Sequence, residues 1–323
     1  MLCVVFDIDE TLIHNMGPNI IEDYWEKLTE DQKASFDYIV EETKNGKLMQ
    51  LIRHNIKQLL KYFVDNYPEI RVGLYTYSEQ EYAIDIGNKL TKYLGLPKNF
   101  FLFTYGEEQI VDYGEDYPKN LRLIYENFPQ FNESNTILVD DLPSNIYHIH
   151  NIEQSILIQP FNPFGTFVFG TKNKAHTSKR QLMNEYTYEM AKNDIVFIEL
   201  KKIIQAVLQD IRGCEGEDYL CKEPIFSPKR VKRMGLDNFY KPYVKKWEYM
   251  MTIGTPVQSD VLNDKPFRKV LELEIPPSTL ARSATAIMGG SRSKKRKQKR
   301  LTKTRVNKNR KNIGKKMRDR IFN

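Results

Sequence analysis

Val4-Val5-Phe6-Asp7-Ile8-Asp9-Glu10-Thr11-Leu12 lies almost at the N-terminus, and its reading decides the fold. The apolar run from Leu2 to Phe6 predicts a buried strand. Two carboxylates follow at i and i+2, then a hydroxyl. Side chains two apart in a strand point to the same side, so Asp7 and Asp9 converge on one small volume. That volume lies at the strand's C-terminal end, where open α/β sheets place their chemistry. Two negative charges so close are costly unless a cation sits between them, and hard oxygen ligands of this kind suit Mg²⁺. A strand running into an acidic turn with Thr11 as a helix cap would carry the same letters, so the rest of the chain has to decide.

The string Asp-Ile-Asp-Glu-Thr-Leu resembles the first motif of the haloacid dehalogenase superfamily. With Glu10 after the second aspartate, it is most similar to the branch of RNA polymerase II C-terminal-domain phosphatases, the NLI-interacting-factor-like group. The resemblance implies three further motifs in order. Arg71-Val72-Gly73-Leu74-Tyr75-Thr76 fits a strand ending in Ser or Thr, and Ser78 with Glu81 predicts a capping box opening the next helix. Thr76 can donate its hydroxyl to a phosphate oxygen beside a helix N-terminus. Tyr117-Pro118-Lys119-Asn120-Leu121 is similar to the motif that supplies a lysine, which would neutralise phosphate charge and hold Asp7. Thr136-Ile137-Leu138-Val139-Asp140-Asp141-Leu142-Pro143-Ser144-Asn145 resembles the fourth motif, whose first acid binds Mg²⁺.

The implied fold is α/β: a haloacid-dehalogenase-like Rossmannoid domain with a mainly parallel sheet and helices on both faces. Strands over Phe36–Glu42 and Lys47–Arg53 around Asn45-Gly46 predict a small β-hairpin flap. A helix is expected around Ile20–Leu28, and Asp194 followed by Phe197, Leu200, Ile204 and Leu208 resembles the helix that closes the family's domain. The expected division is residues 1–213 for the phosphatase domain, 214–290 for an accessory region and 291–323 for a disordered basic tail. In the accessory region Tyr240, Tyr243, Trp247 and Tyr249 recur near helical spacing and suggest a packing face, and Ser227-Pro228 offers a possible modification or docking site.

Charge is uneven. Residues 292–323 hold sixteen Lys/Arg against one acid, Asp319, so this segment carries +15 and the preceding 291 residues −8 of the chain's +7. Such blocks repel themselves and stay disordered. Residues 292–320 would bind nucleic acid non-specifically through phosphate neutralisation, or serve as a nuclear address. No run of about 20 apolar residues exists to span a membrane. Met1 leads directly into the first strand without a signal peptide. The expectation is a protein neither secreted nor membrane-spanning, in the nucleus or another nucleic-acid-rich compartment. Cys3, Cys214 and Cys221 make no disulfide framework and no zinc pattern, which points to a reducing compartment.

The resemblance also implies roles. Asp7 is the nucleophile and Asp9 the general acid and base, while Thr76 and Lys119 bind the phosphate. Asp7, Asp140 and the Asp9 backbone carbonyl hold Mg²⁺, Asp141 orients that shell and Thr11 fixes the loop. The activity implied is a Mg²⁺-dependent phosphomonoester hydrolase acting through an aspartyl-phosphate, on phosphoserine or phosphothreonine in a protein. Two alternatives stand beside it: a phosphatase of nucleic-acid ends, and a non-catalytic nucleic-acid-binding structural protein that kept the fold.

Overall fold

The computed structural model describes residues 1–44, 46–112, 119–146, 151–164, 188–214, 219–243 and 248–254. The chain forms two units, Met1–Thr255 and Pro256–Asn323, and all described residues lie in the first. The basic tail and most of residues 214–290 therefore fall outside the described residues.

β1 (Leu2–Phe6) is fully buried and occupies the middle of a seven-stranded sheet. It runs parallel to β5 (Ile70–Tyr75) on one side and β7 (Thr136–Asp140) on the other, with Phe6 level with Leu74 and Val139. That register brings the C-terminal ends of three motif-bearing strands side by side. β6 (Phe101–Tyr105) and β8 (Ser155–Ile158) extend the parallel sheet outward, and the order is β6-β5-β1-β7-β8-β10-β9. The last two strands are β9 (Tyr240–Tyr243) and β10 (Glu248–Ile253), antiparallel to each other.

Alternation along β1 sends its side chains to two cores. Leu2, Val4 and Phe6 meet α3 (Ile56–Asn66), α4 (Gln80–Leu94) and α8 (Val196–Gly213), whose apolar residues recur every three or four positions, as in Val196, Leu200, Ile203 and Val207. Cys3 and Val5 face the other side with Ile110 of α5 (Glu107–Asp112), Ile124 of α6 (Arg122–Asn127) and Ile146 of α7 (Pro143–Ile146). A sheet covered on both faces explains why β1, β7 and β8 are buried throughout and apolar at their centres.

The loop after β1 enters a second sheet. β2 (Ile13–Met16), β4 (Gly46–Ile52) and β3 (Asp37–Thr43) lie in the order β2-β4-β3, so the expected two-stranded flap has a third strand. The helix expected around Ile20–Leu28 is broken into α1 (Pro18–Asp23) and a separate 3-10 turn at Trp25–Lys27. α2 (Glu30–Lys33) follows, opened by a Thr29–Gln32 capping box.

Two expectations for the C-terminal part are corrected, those on the aromatics and on the cysteines. Of the aromatics read at helical spacing, Tyr240, Tyr243 and Tyr249 are on strands, with Tyr240 stacked on Tyr249 across the β9–β10 pair at 5.4 Å, and Trp247 lies outside the described residues; short runs that mix polar and apolar residues do not reveal their period. β9 and β10 complete the main sheet, so the expected boundary at 213/214 does not coincide with a sheet edge. Cys214 and Cys221 form a disulfide, their Cα atoms 5.7 Å apart. That distance is within bridging range, which a separation of seven residues could not disclose. Ser227 caps α9 (Pro228–Met234), accepting from the Arg230 amide at 3.4 Å with Pro228 in the first turn.

Candidate active site

Asp7 directly continues β1, its amide donating to the Val139 carbonyl at 2.9 Å. The chain then turns tightly: the amides of Leu12 and Ile13 both donate to the Ile8 carbonyl, and Glu10 takes a left-handed conformation with φ 58°. For a residue with a Cβ that conformation costs roughly 1–2 kcal/mol, so the surroundings must impose it. The Phe161 amide donates to the Glu10 carbonyl at 2.6 Å, and the carboxylate of Glu10 meets Nδ1 of the buried His14 at 2.9 Å. Arg53, fully buried, donates through Nη1 to the carbonyls of Thr11 (3.2 Å) and Glu10 (3.4 Å) and through Nη2 to that of Gln159 (2.6 Å). Its Nε is paired with Asp194 at 2.8 Å, and its plane faces Phe161 and Phe197. Arg53 thus clamps the loop after β1 from behind.

The acids converge at the sheet edge. Oxygens of Asp7, Asp140 and Asp141 all lie within 4.8 Å of one another. Lys119, fully buried, bridges Asp7 and Asp140, reaching Asp140 Oδ2 at 2.6 Å. Asp140 is also braced by the Leu142 amide at 2.8 Å and by Asn145 Nδ2 at 3.2 Å, and Asp141 accepts from the Thr11 hydroxyl at 3.2 Å. Burial pushes the Asp7 carboxyl up to about 7, Lys119 pulls against that shift, and the charges of Asp140 and Asp9 add to it. Asp141 is raised well above the usual range by burial and by Asp7 and Asp140. Burial lowers the Lys119 ammonium, but Asp140 and Asp7 outweigh it and the net shift is upward. Lys119 answers one negative charge, so the cluster calls for more cation. Three convergent carboxylates are the hard oxygen set that fits Mg²⁺.

Asp9 points elsewhere. Its Oδ1 accepts from Asn15 Nδ2 and Tyr82 Oη, both at 2.5 Å, and its Oδ2 from the hydroxyls of Ser78 (3.2 Å) and Thr76 (3.4 Å). Its carboxylate stays outside the Asp7–Asp140–Asp141 cluster. Burial and the Asp9 charge push the Tyr82 hydroxyl far above its ordinary value, so it remains a donor. Ser78 was expected to cap α4. The helix instead starts at Gln80 without a side-chain cap, because the Ser78 hydroxyl has turned to Asp9.

All seven residues expected at the site lie around one sheet edge. Asn15, Ser78, Tyr82 and Arg53 join them in direct contact with Asp9 or the loop after β1, and Asp194 holds Arg53. The sequence had named Ser78 only as a helix cap and Asp194 only at the head of the closing helix, because their partners lie far away in the chain.

Among the solved structures that match parts of this chain are the following. A variant of the fission yeast RNA polymerase II CTD phosphatase Fcp1, bound to beryllium fluoride, matches with a TM-score of 0.40 and 15% identity over 72% of this chain and 66% of that one. Fcp1, an essential RNA polymerase II CTD phosphatase, matches with a TM-score of 0.37 and 14% identity over 74% and 62%. An uncharacterized protein from Listeria monocytogenes serotype 4b matches at 0.30 and 16% identity over 58% and 99%. The chain spans slightly less than two thirds of the two Fcp1 chains, and likeness at this level says nothing about activity. No curated protein matches significantly. The model of the NLI interacting factor-like phosphatases matches residues 2–181, more than half of the chain. The resemblance carried by the four motifs is therefore one of descent: this chain belongs to the NLI interacting factor-like phosphatase family, of the haloacid dehalogenase type.

Proposed function

We propose that the protein is a Mg²⁺-dependent phosphomonoesterase that works through an aspartyl-phosphate on Asp7, with phosphoserine or phosphothreonine of a protein segment as substrate. The observation that carries the reading is the pairing of Asp7 with buried Lys119 inside the acidic cluster. Asp7, Asp140 and Asp141 would hold the cation, which when bound supplies charge neutralisation at the transferring phosphoryl group.

Asp7 attacks phosphorus in line, the bond to the leaving oxygen breaks, and a proton from the Asp9 carboxyl makes that oxygen an alcohol. Water then attacks the aspartyl-phosphate and gives its proton to Asp9. Inorganic phosphate leaves, and both aspartates return to their starting forms. Lys119 and Thr76 offset charge on the phosphoryl oxygens, the main burden in such transfers. Between Thr11 and Ile70 the chain supplies a three-stranded sheet, short helices and α3 rather than a domain-sized cap. That supports a substrate presented on a flexible segment.

The test is hydrolysis of an aryl phosphate by the purified chain with and without Mg²⁺, beside Asp7→Asn. Expected is metal-dependent turnover that the substitution abolishes; turnover surviving it would sink the assignment of Asp7. The charge of residues 292–320 supports one competing substrate, a nucleic-acid end, and a nuclear or nucleic-acid-rich location. Comparing a phosphoserine peptide with a terminally phosphorylated oligonucleotide separates the substrates.

A further inference from the structure

Asn15 and Tyr82 reach Asp9 from two elements that carry none of the four motifs' strands: β2 of the small sheet and the first turn of α4. They also bond to each other, Asn15 Nδ2 donating to Tyr82 Oη at 2.5 Å. The protons account for themselves. The amide has two, one for Tyr82 Oη and one for Asp9 Oδ1. The phenol accepts the first and gives its own to the same Oδ1. Oδ1 is thus capped by two short bonds, whereas Oδ2 keeps two longer and weaker ones, from Ser78 and Thr76. Of the two oxygens, the one held by the weaker bonds is the better place for a further proton. The proton that Asp9 hands to a leaving group must ride on Oδ2, on the side where Thr76 stands.

We propose that Asn15 and Tyr82 are positioning residues for phosphoryl transfer: by capping Oδ1 they fix the carboxyl of Asp9 so that Oδ2 faces the leaving oxygen. The inference rests on the proposed function and adds to it a role for the small sheet, which holds one corner of the proton donor. Loss of either residue frees the carboxyl to turn, and small misplacements of a catalytic group are costly.

The experiment exploits leaving-group chemistry. A serine alkoxide needs its proton as the bond breaks, whereas 4-nitrophenolate leaves without one. kcat/KM, which reports the first transfer, is measured with Mg²⁺ for a phosphoserine peptide and for 4-nitrophenyl phosphate. Tyr82→Phe and Asn15→Ala are each expected to lower the peptide-to-aryl ratio by about 10–100-fold, within the range of general acid catalysis. Asp9→Asn should show the same selective loss, and adding Tyr82→Phe to it should lower the ratio little further. Equal losses on both substrates, or a full additional loss in the double variant, would overturn the inference. Two variants that break the triangle from opposite sides keep the test alive if one misfolds by circular dichroism. No turnover of either substrate by the unaltered chain would overturn the proposed function and the inference together. Turnover with an unchanged ratio in the variants would overturn the inference alone.

Discussion

Arg53 shows how much a single side chain can hold. Its donors reach three backbone carbonyls and the Asp194 carboxylate, and no part of it touches solvent. Arg53→Ala strands a buried carboxylate and unties the loop behind Asp9. A loss of about 3–5 kcal/mol is expected from urea denaturation with an unchanged m-value. Arg53→Lys should recover little of it, because an ammonium cannot reproduce the planar fork. A loss below about 1 kcal/mol for Arg53→Ala would contradict the clamp. Cys3 makes an opposite case. Burial within β1 pushes its thiol up to about 12. Iodoacetamide at pH 8 is expected to label no cysteine in the native protein and two, Cys214 and Cys221, after reduction. The third should react only on unfolding, and mass spectrometry counts the adducts; labelling of Cys3 in the folded state would contradict its placement.

Within the elements, packing explains what composition leaves open. Gly73 sits in β5 opposite Phe103 of β6, and a Cβ there would stand inside the Phe103 ring. That ring is itself stacked between Tyr105 and Phe128, so it has little room to yield. Gly73→Ala is expected to cost about 1–3 kcal/mol. Joined to Phe103→Leu, it should cost less than the sum of the two single changes, and chemical denaturation of the four proteins measures the coupling. Additive losses would place the strain elsewhere. The strand itself was legible, since Arg71–Thr76 is a short apolar run between turn signals. So were β1 and β7, short runs that lead into acids, and α8, whose periodicity is long. The Ser78–Glu81 capping box was misread because a serine hydroxyl has two competing uses, and the nearby Asp9 carboxylate won.

The unit Met1–Thr255 is built on a sheet that needs both ends of its described residues. β10 pairs with β8 and brings Met250, Met251 and Ile253 into the core, so residues well beyond 213 complete what the N-terminal motifs begin. A chain ending at residue 213 would leave β8 as an apolar edge, a hazard for pairing with other chains. It is expected to lose cooperative thermal unfolding or to aggregate; a monomer with the full chain's melting temperature would refute this. Among the described residues, no helix is long and apolar enough to cross a membrane. From the amino-acid order alone came the parallel α/β architecture and the acids, threonine and lysine of the site. These depend on local periodicity and on strands ending in reactive residues, and both are written within a few positions. The third strand of the flap, the Arg53–Asp194 clamp, the disulfide and the Asn15–Tyr82–Asp9 triangle came only with the folded chain. Arg53 and Asp194 are 141 positions apart, and Tyr82 and Asp9 are 73 apart. Separations of that size carry no local signal, because nothing in a residue's own neighbourhood states which side chain will lie across from it.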